Sequence, residues 1–205
     1  MPRVVDGQQR RAHIADAVLR LAARDGLHAV SLRAVAAEAE LNIGSVRHYF
    51  DSQHDLMRFA MRATIDRVTA RLVERRETTD PIGRLRPDEL ADRLTGFLAE
   101  LLPLDERRRT ETTVLVEFLL AARADPGLAD LAGEAIRGTV TLARRVLDAL
   151  ARTGAFAGDP DVEAPRLAAL LDGLAFRAVL RPEITTGEEC LAVLRAHLRQ
   201  LTRTG

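Results

Sequence analysis

The chain has 205 residues, enough for one large domain or a small domain joined to a larger one. Apolar residues make up 47% and aromatics 3%, so the core is built from Leu, Ala and Val; no β-branched runs alternate with polar residues, which excludes a sheet protein and makes the fold class all-α. Basic and acidic residues balance at 30 each, which excludes a generally nucleic-acid-coating protein and leaves room only for a local basic face.

Residues 1–8 read as a loose arm. A helix is predicted from Gln9 to Asp25, with Ile14, Val18, Leu21 and Ala22 on one face and Gly26 as its stop. Arg3, Arg10 and Arg11 cluster at its beginning, where cations oppose the helix dipole. Two readings stand for them: contact with DNA phosphate or an adjacent minor groove, or an ordinary solvated surface.

Ser31–Phe50 reads as two short helices joined by the sharp corner Glu40-Leu41-Asn42. Ser31 and Asn42 are placed as N-caps, since their side-chain oxygens can accept from backbone N–H groups left unpaired at a helix start. Two helices with so short a turn form a helix-turn-helix, whose second helix enters the DNA major groove.

A long helix follows from Ser52 to Glu77, opened by a capping-box pair, Ser52 and Asp55. Leu56, Phe59 and Ala63 lie on one of its faces, and Met61, Ile65, Val68 and Leu72 roughly opposite, as in a helix connecting a small head to a larger body. Residues 78–87 form a loop. Five helices are then predicted, at Asp88–Leu102, Glu106–Ala124, Leu128–Thr153, Asp161–Leu180 and Gly187–Thr202, the last capped by Thr186 with Glu189. The result is about nine helices: a helix-turn-helix head over residues 1–51, a connecting helix over 52–77, and a larger helical body over 78–205.

The single cysteine, Cys190, permits no intrachain disulfide and fits a reducing compartment. No apolar run reaches the ~18 residues that span a bilayer, and no signal peptide is evident. The expected location is the cytoplasm, on the nucleoid, with no membrane partner.

The pattern resembles the TetR family of transcriptional regulators. It does so through Asp25-Gly26, Ser31-Leu32-Arg33-Ala34-Val35-Ala36, Asn42 to Phe50, and Asp51-Ser52-Gln53-His54-Asp55-Leu56. The body is similar to the BetI-like branch through Asp172-Gly173-Leu174-Ala175 and the closing helices. The resemblance implies a homodimer on a pseudo-palindromic double-stranded DNA operator, a small-molecule effector held in the body, release of DNA when it binds, and neither cofactor nor catalysis; it assigns ligand binding and dimerisation to residues 78–205. Three positions depart from the family pattern. Glu40 stands where the turn often has Gly, Arg47 where a Tyr is common, and Gln53 where a Lys usually touches phosphate.

In the head, Ser45 and Arg47 suit base edges, Arg being able to grip guanine with two hydrogen bonds. His48 and Tyr49 suit phosphate or thymine methyl, Gly44 lets the backbone approach closely, and Ser31 and Arg33 can hold phosphate. Asn42 and Gln53 complete the candidate set. In the body, Phe97, Thr113, Glu117, Phe118, Arg144 and Phe176 are the candidate ligand contacts, polar groups set among apolar ones. A quaternary ammonium would want an aromatic cage, which a chain with no Trp and Tyr49 as its one Tyr supports poorly. Leu167, Leu171, Leu174, Ala178, Leu191, Leu194 and Leu198 form apolar seams that either pair with a second copy as a four-helix bundle or are buried within one subunit.

Two other classes compete. An all-α enzyme would need a catalytic or metal constellation, and His13, His28, His48, His54 and His197 are scattered with no metal-binding spacing. A helical dimer that binds a ligand or partner after losing DNA binding would be favoured by Glu40 and Gln53.

Overall fold

The computed structural model describes residues 2–77, 85–154, 156 and 158–202; among these there are nine α-helices and no strand. They are α1 (Pro2–Asp25), α2 (Leu32–Glu38), α3 (Ile43–Arg47), α4 (Gln53–Glu77), α5 (Pro87–Leu98), α6 (Glu106–Ala122), α7 (Ala129–Arg152), α8 (Pro160–Leu180) and α9 (Gly187–Leu201). Short 3-10 turns stand at Leu27–Ala29, Ala99–Leu101 and Pro126–Leu128. The expected arm at 1–8 is corrected, because α1 already begins at Pro2. Most of the expected loop at 78–87 falls outside the described residues.

The helix boundaries follow from local chemistry. Ser52 Oγ accepts the Asp55 N–H at 3.0 Å to open α4, and Thr186 Oγ1 accepts the Glu189 N–H at 3.1 Å to open α9. The Asp159 carboxylate accepts the Asp161 N–H at 2.9 Å at the start of α8.

The chain forms two compact units, Met1–Arg67 with Thr113–Gly133, and Val68–Thr112 with Glu134–Gly205. A division near residue 78 is therefore not the division in packing: residues 113–133, expected in the ligand-binding domain, pack with the head. In the first unit, Ile14, Val18, Leu21, Val35, Val46, Phe50 and Leu56 form the head's core. A second cluster joins Met61 to Phe118, Leu128 and Leu131. Both apolar faces of α4's first half are thus used within one unit, Leu56 and Ala60 on one side and Met61 on the other. The second stripe does not wait for the helix's far end.

In the second unit, α5, α7, α8 and α9 share one core. Here the seam residues are corrected. Leu167, Leu194 and Leu198 are 0% exposed, Leu171 and Ala178 2%, and Leu174 8% in the single chain. Their partners are Leu90, Leu94, Leu98, Val146, Leu147 and Leu150 of the same unit, so they are not available to a second copy; Leu191 is half-buried. Each fully buried Leu among them stabilises the fold by roughly 1.5–3 kcal/mol.

Candidate nucleic-acid interface

The turn between α2 and α3 is built by backbone hydrogen bonds that require a left-handed residue. Leu41 N–H donates to the Ala36 carbonyl at 2.8 Å and Glu40 N–H to the Ala37 carbonyl at 3.1 Å, a Schellman closure of α2. Glu40 accordingly has φ 55°, the only non-glycine residue with positive φ among those described. The ring of His13, on α1, donates to the carbonyl of Ala39, the C-cap of α2, at 2.9 Å. Arg20 and Arg24 of α1 grip Glu38 at 2.9 and 3.0 Å and hold its carboxyl below the usual range. α2 is therefore tied to α1 by three side chains on its last turn.

α3 is only five residues long, too short to be stable alone, and its start is fixed by one side chain. Asn42 Oδ1 accepts the Ser45 N–H at 2.8 Å and the Ser45 hydroxyl at 3.1 Å. A Cβ on Gly44 would meet that same oxygen at 3.2 Å, so Gly44 keeps the cap's space clear. Ser31 caps α2 in the same manner, accepting the Ala34 N–H at 3.1 Å. Both N-caps are as the sequence placed them.

Five of the nine predicted DNA-side residues, Asn42, Gly44, Ser45, His48 and Tyr49, line one open groove of about 530 Å³ together with Arg10 and Leu41. Arg33, Arg47 and Gln53 are exposed but do not line it, and Ser31 is half-buried as the cap. Tyr49 is braced: its ring packs edge-on to His48 at 5.0 Å, and the Arg11 guanidinium lies 5.8 Å from its centre and 6.0 Å from that of Phe59. Arg10 and Leu41 are the groove residues outside those nine; for Arg10 the sequence alone leaves DNA contact and a solvated surface as equal readings. A signal was present, since Arg10 stands four residues before Ile14 and continues the stripe Ile14, Val18, Leu21 that packs on the head.

The six ligand candidates are not drawn together. Phe118 is 1% exposed inside the first unit's packing, and Thr113 is half-buried on the same helix. Glu117 accepts a hydrogen bond from the backbone N–H of Leu27 and belongs to the head's own architecture. Phe97 packs against the second unit's core and Phe176 is exposed. Arg144 pairs with Asp148 at 3.0 Å and with Asp161, and alone of the six lines a described groove, about 430 Å³ in volume, with Val140, Thr141, Pro160 and Pro165 among its other walls.

Residues 14–58 match the model of the bacterial regulatory proteins of the tetR family, and residues 90–203 match that of the BetI-type transcriptional repressor C-terminal part. The chain belongs to the TetR family of transcriptional regulators. It is 32% identical over 203 residues to the HTH-type transcriptional regulator PksA of Bacillus subtilis strain 168, covering 98% of this chain and 94% of that one. A crystal structure of a transcriptional regulator from Rhodococcus sp. Rha1 superposes with a TM-score of 0.76 at 31% identity, over 93% of this chain and 95% of that one. The multidrug binding protein EbrR, complexed with ethidium, superposes with a TM-score of 0.64 at 29% identity, over 95% and 99%. As a TetR-family member the chain is a transcriptional regulator with a DNA-binding and a ligand-binding part, not an enzyme. No helix among the described residues is long and apolar enough to cross a membrane.

Proposed function

We propose that the protein is a repressor that binds a pseudo-palindromic operator as a homodimer in the cytoplasm and releases it when the BetI-type part takes up a small organic molecule. The observation that carries this reading is the presentation of α3. A five-residue helix is held by a cap at its start and by a Schellman turn before it, and its Arg47 stands exposed beside the groove that Asn42, Ser45, His48 and Tyr49 line. So short a helix fixed so rigidly suits insertion into a major groove, Arg47 reading a guanine and His48, Tyr49, Ser31, Arg33 and Gln53 meeting backbone or neighbouring bases.

For the dimer, the inward seam is replaced by the outward face of α8. Val162, Phe176 and Leu180 are 50%, 42% and 52% exposed, and with Ala169 and Gly173 they recur at helical spacing along one side. A solvent-exposed apolar stripe of this length fits an isologous contact with a second copy. For the effector, Phe97 is the predicted contact we retain, and the ethidium complex of EbrR makes planar organic cations the first class to try.

The test is a gel-shift titration of the purified protein on DNA upstream of its own gene, repeated at rising salt and with added organic cations. Sequence-specific retardation lost in Arg47→Ala supports the reading; retardation indifferent to DNA sequence sinks it.

A further inference from the structure

The DNA-facing groove has a cation that comes from outside the helix-turn-helix pair. Arg10 sits on α1 one turn before Ile14, on the stripe whose Ile14, Val18 and Leu21 are 0%, 1% and 5% exposed. Residues four apart share a helix face, so Arg10 leaves α1 on the side packed against α2 and α3, and its side chain forms a wall of the groove with Leu41, Asn42, Gly44, Ser45, His48 and Tyr49. No carboxylate is among those walls. Four arginines of this unit are matched, Arg20 and Arg24 with Glu38, Arg58 with Asp130 and Arg67 with Asp16, whereas Arg10, like the exposed Arg33 and Arg47 on the helix-turn-helix, has no ion pair among the described residues. A half-buried guanidinium with no carboxylate partner among the described residues, beside the phenol of Tyr49 and the imidazole of His48, is a set of donors suited to an anion.

Arg11, the next residue, does something else. A one-residue step turns the side chain by about 100°, and Arg11 lies over the rings of Tyr49 and Phe59 instead of lining the groove. The two adjacent arginines carry equal charge and occupy different surroundings, which makes one a control for the other.

We propose that Arg10 is a DNA-phosphate contact delivered by α1 to the strand beside the recognition helix, and that it adds affinity without reading sequence. This rests on the operator-binding reading above. A phosphate is the anion that a duplex offers at the edge of the groove that α3 enters, whereas base edges fall to α3's own exposed residues.

The experiment measures operator affinity against salt for the full-length protein and for Arg10→Gln and Arg11→Gln. Each phosphate contact contributes about 0.9 to the slope of log K against log salt, so a dimer losing two Arg10 contacts should show a slope shallower by about 2, with at least tenfold weaker binding at low salt. The loss should be equal, within about twofold, on the operator and on operators with single base changes. Arg11→Gln should alter the slope by less than half as much. Identical slopes for the two variants, or a wild-type slope in Arg10→Gln, would overturn the assignment, as would a loss confined to particular base pairs. If the wild-type protein shows no sequence-specific binding, the operator reading itself fails, an outcome separate from these.

Discussion

The Glu117 carboxylate accepts the backbone N–H of Leu27, 90 residues earlier in the chain. This bond docks α6 onto the turn that follows α1. Gly26 makes the turn possible with φ 86°, and a Cβ there would meet the His28 ring at 2.8 Å. Leu27 opens a 3-10 turn with no side-chain cap of its own, so Glu117 supplies from afar what a local Ser or Asp usually supplies. Replacing Glu117 by Ala leaves that N–H without its charged acceptor and should cost about 2 kcal/mol of stability in urea unfolding, while Glu117→Gln, which keeps an acceptor, should retain most of it. If Glu117→Ala unfolds like the wild type but loses effector binding, Glu117 is a ligand group after all.

Glu40 is held at φ 55° by the Schellman hydrogen bonds of Leu41 and Glu40 itself. An L-residue with a Cβ pays for this conformation and glycine does not, so Glu40→Gly should stabilise the head by about 1 kcal/mol, the reverse of the usual effect of introducing glycine. Thermal unfolding would read this directly, and a lower melting temperature would contradict it. The same substitution removes a negative charge from the DNA side, so operator affinity should rise rather than fall.

His197, on α9, is held below the ordinary histidine range chiefly by burial; Glu163 opposes the shift and Arg166 adds to it. Its Nε2 is buried and has no hydrogen-bond partner among the described residues, and one oxygen of Glu163 is in the same position. A histidine with a depressed folded value stabilises the native state above its unfolded value, near 6.5, and that stability is lost as pH falls. The melting temperature should therefore drop between about pH 7 and pH 5, and His197→Gln should flatten that part of the profile. A drop of equal size in the variant would assign it to other groups.

Much of this was legible in the sequence because local chemistry decided it. Proline, glycine and cap residues set the helix ends, and the bonds from Ser31, Asn42 and Ser52 are those their spacing implied. The sharp corner could be read from the length of the turn, while its left-handed residue, Glu40, was marked only by the family's frequent Gly at that position. What could not be read was which partner each apolar stripe would find. Leu167, Leu171 and Leu194 make a convincing seam, but α8 carries apolar residues on its other side too, and only packing tells inward from outward. The structural partner of Glu117 was hidden for a related reason: a carboxylate in an apolar run signals a polar contact, and nothing local says that the contact is a backbone N–H far away in the chain. Arg10 was noticed as part of a cluster, yet the stripe that distinguishes it from Arg11 becomes meaningful only once α1 is seen packed on α3's turn.

Gly173 offers the sharpest test of the outward face of α8. A glycine in a helix interior costs about 1 kcal/mol relative to Ala, and here a Cβ would meet nothing within 4 Å in the single chain. The chain's own packing therefore gives no reason for it, whereas close approach of another helix does. Gly173→Leu should leave the monomer folded, or stabilise it slightly, and convert a dimer to a monomer in light scattering coupled to size exclusion. Phe176→Arg, at a site 42% exposed, should do the same with little change in melting temperature. Leu171→Arg, at 2% exposure, should instead unfold the chain, because it buries a charge in the core. If Gly173→Leu and Phe176→Arg both remain dimeric, the second copy does not sit on this stripe; if they become monomeric, operator affinity should collapse with them, since two recognition helices are needed to span a two-fold site.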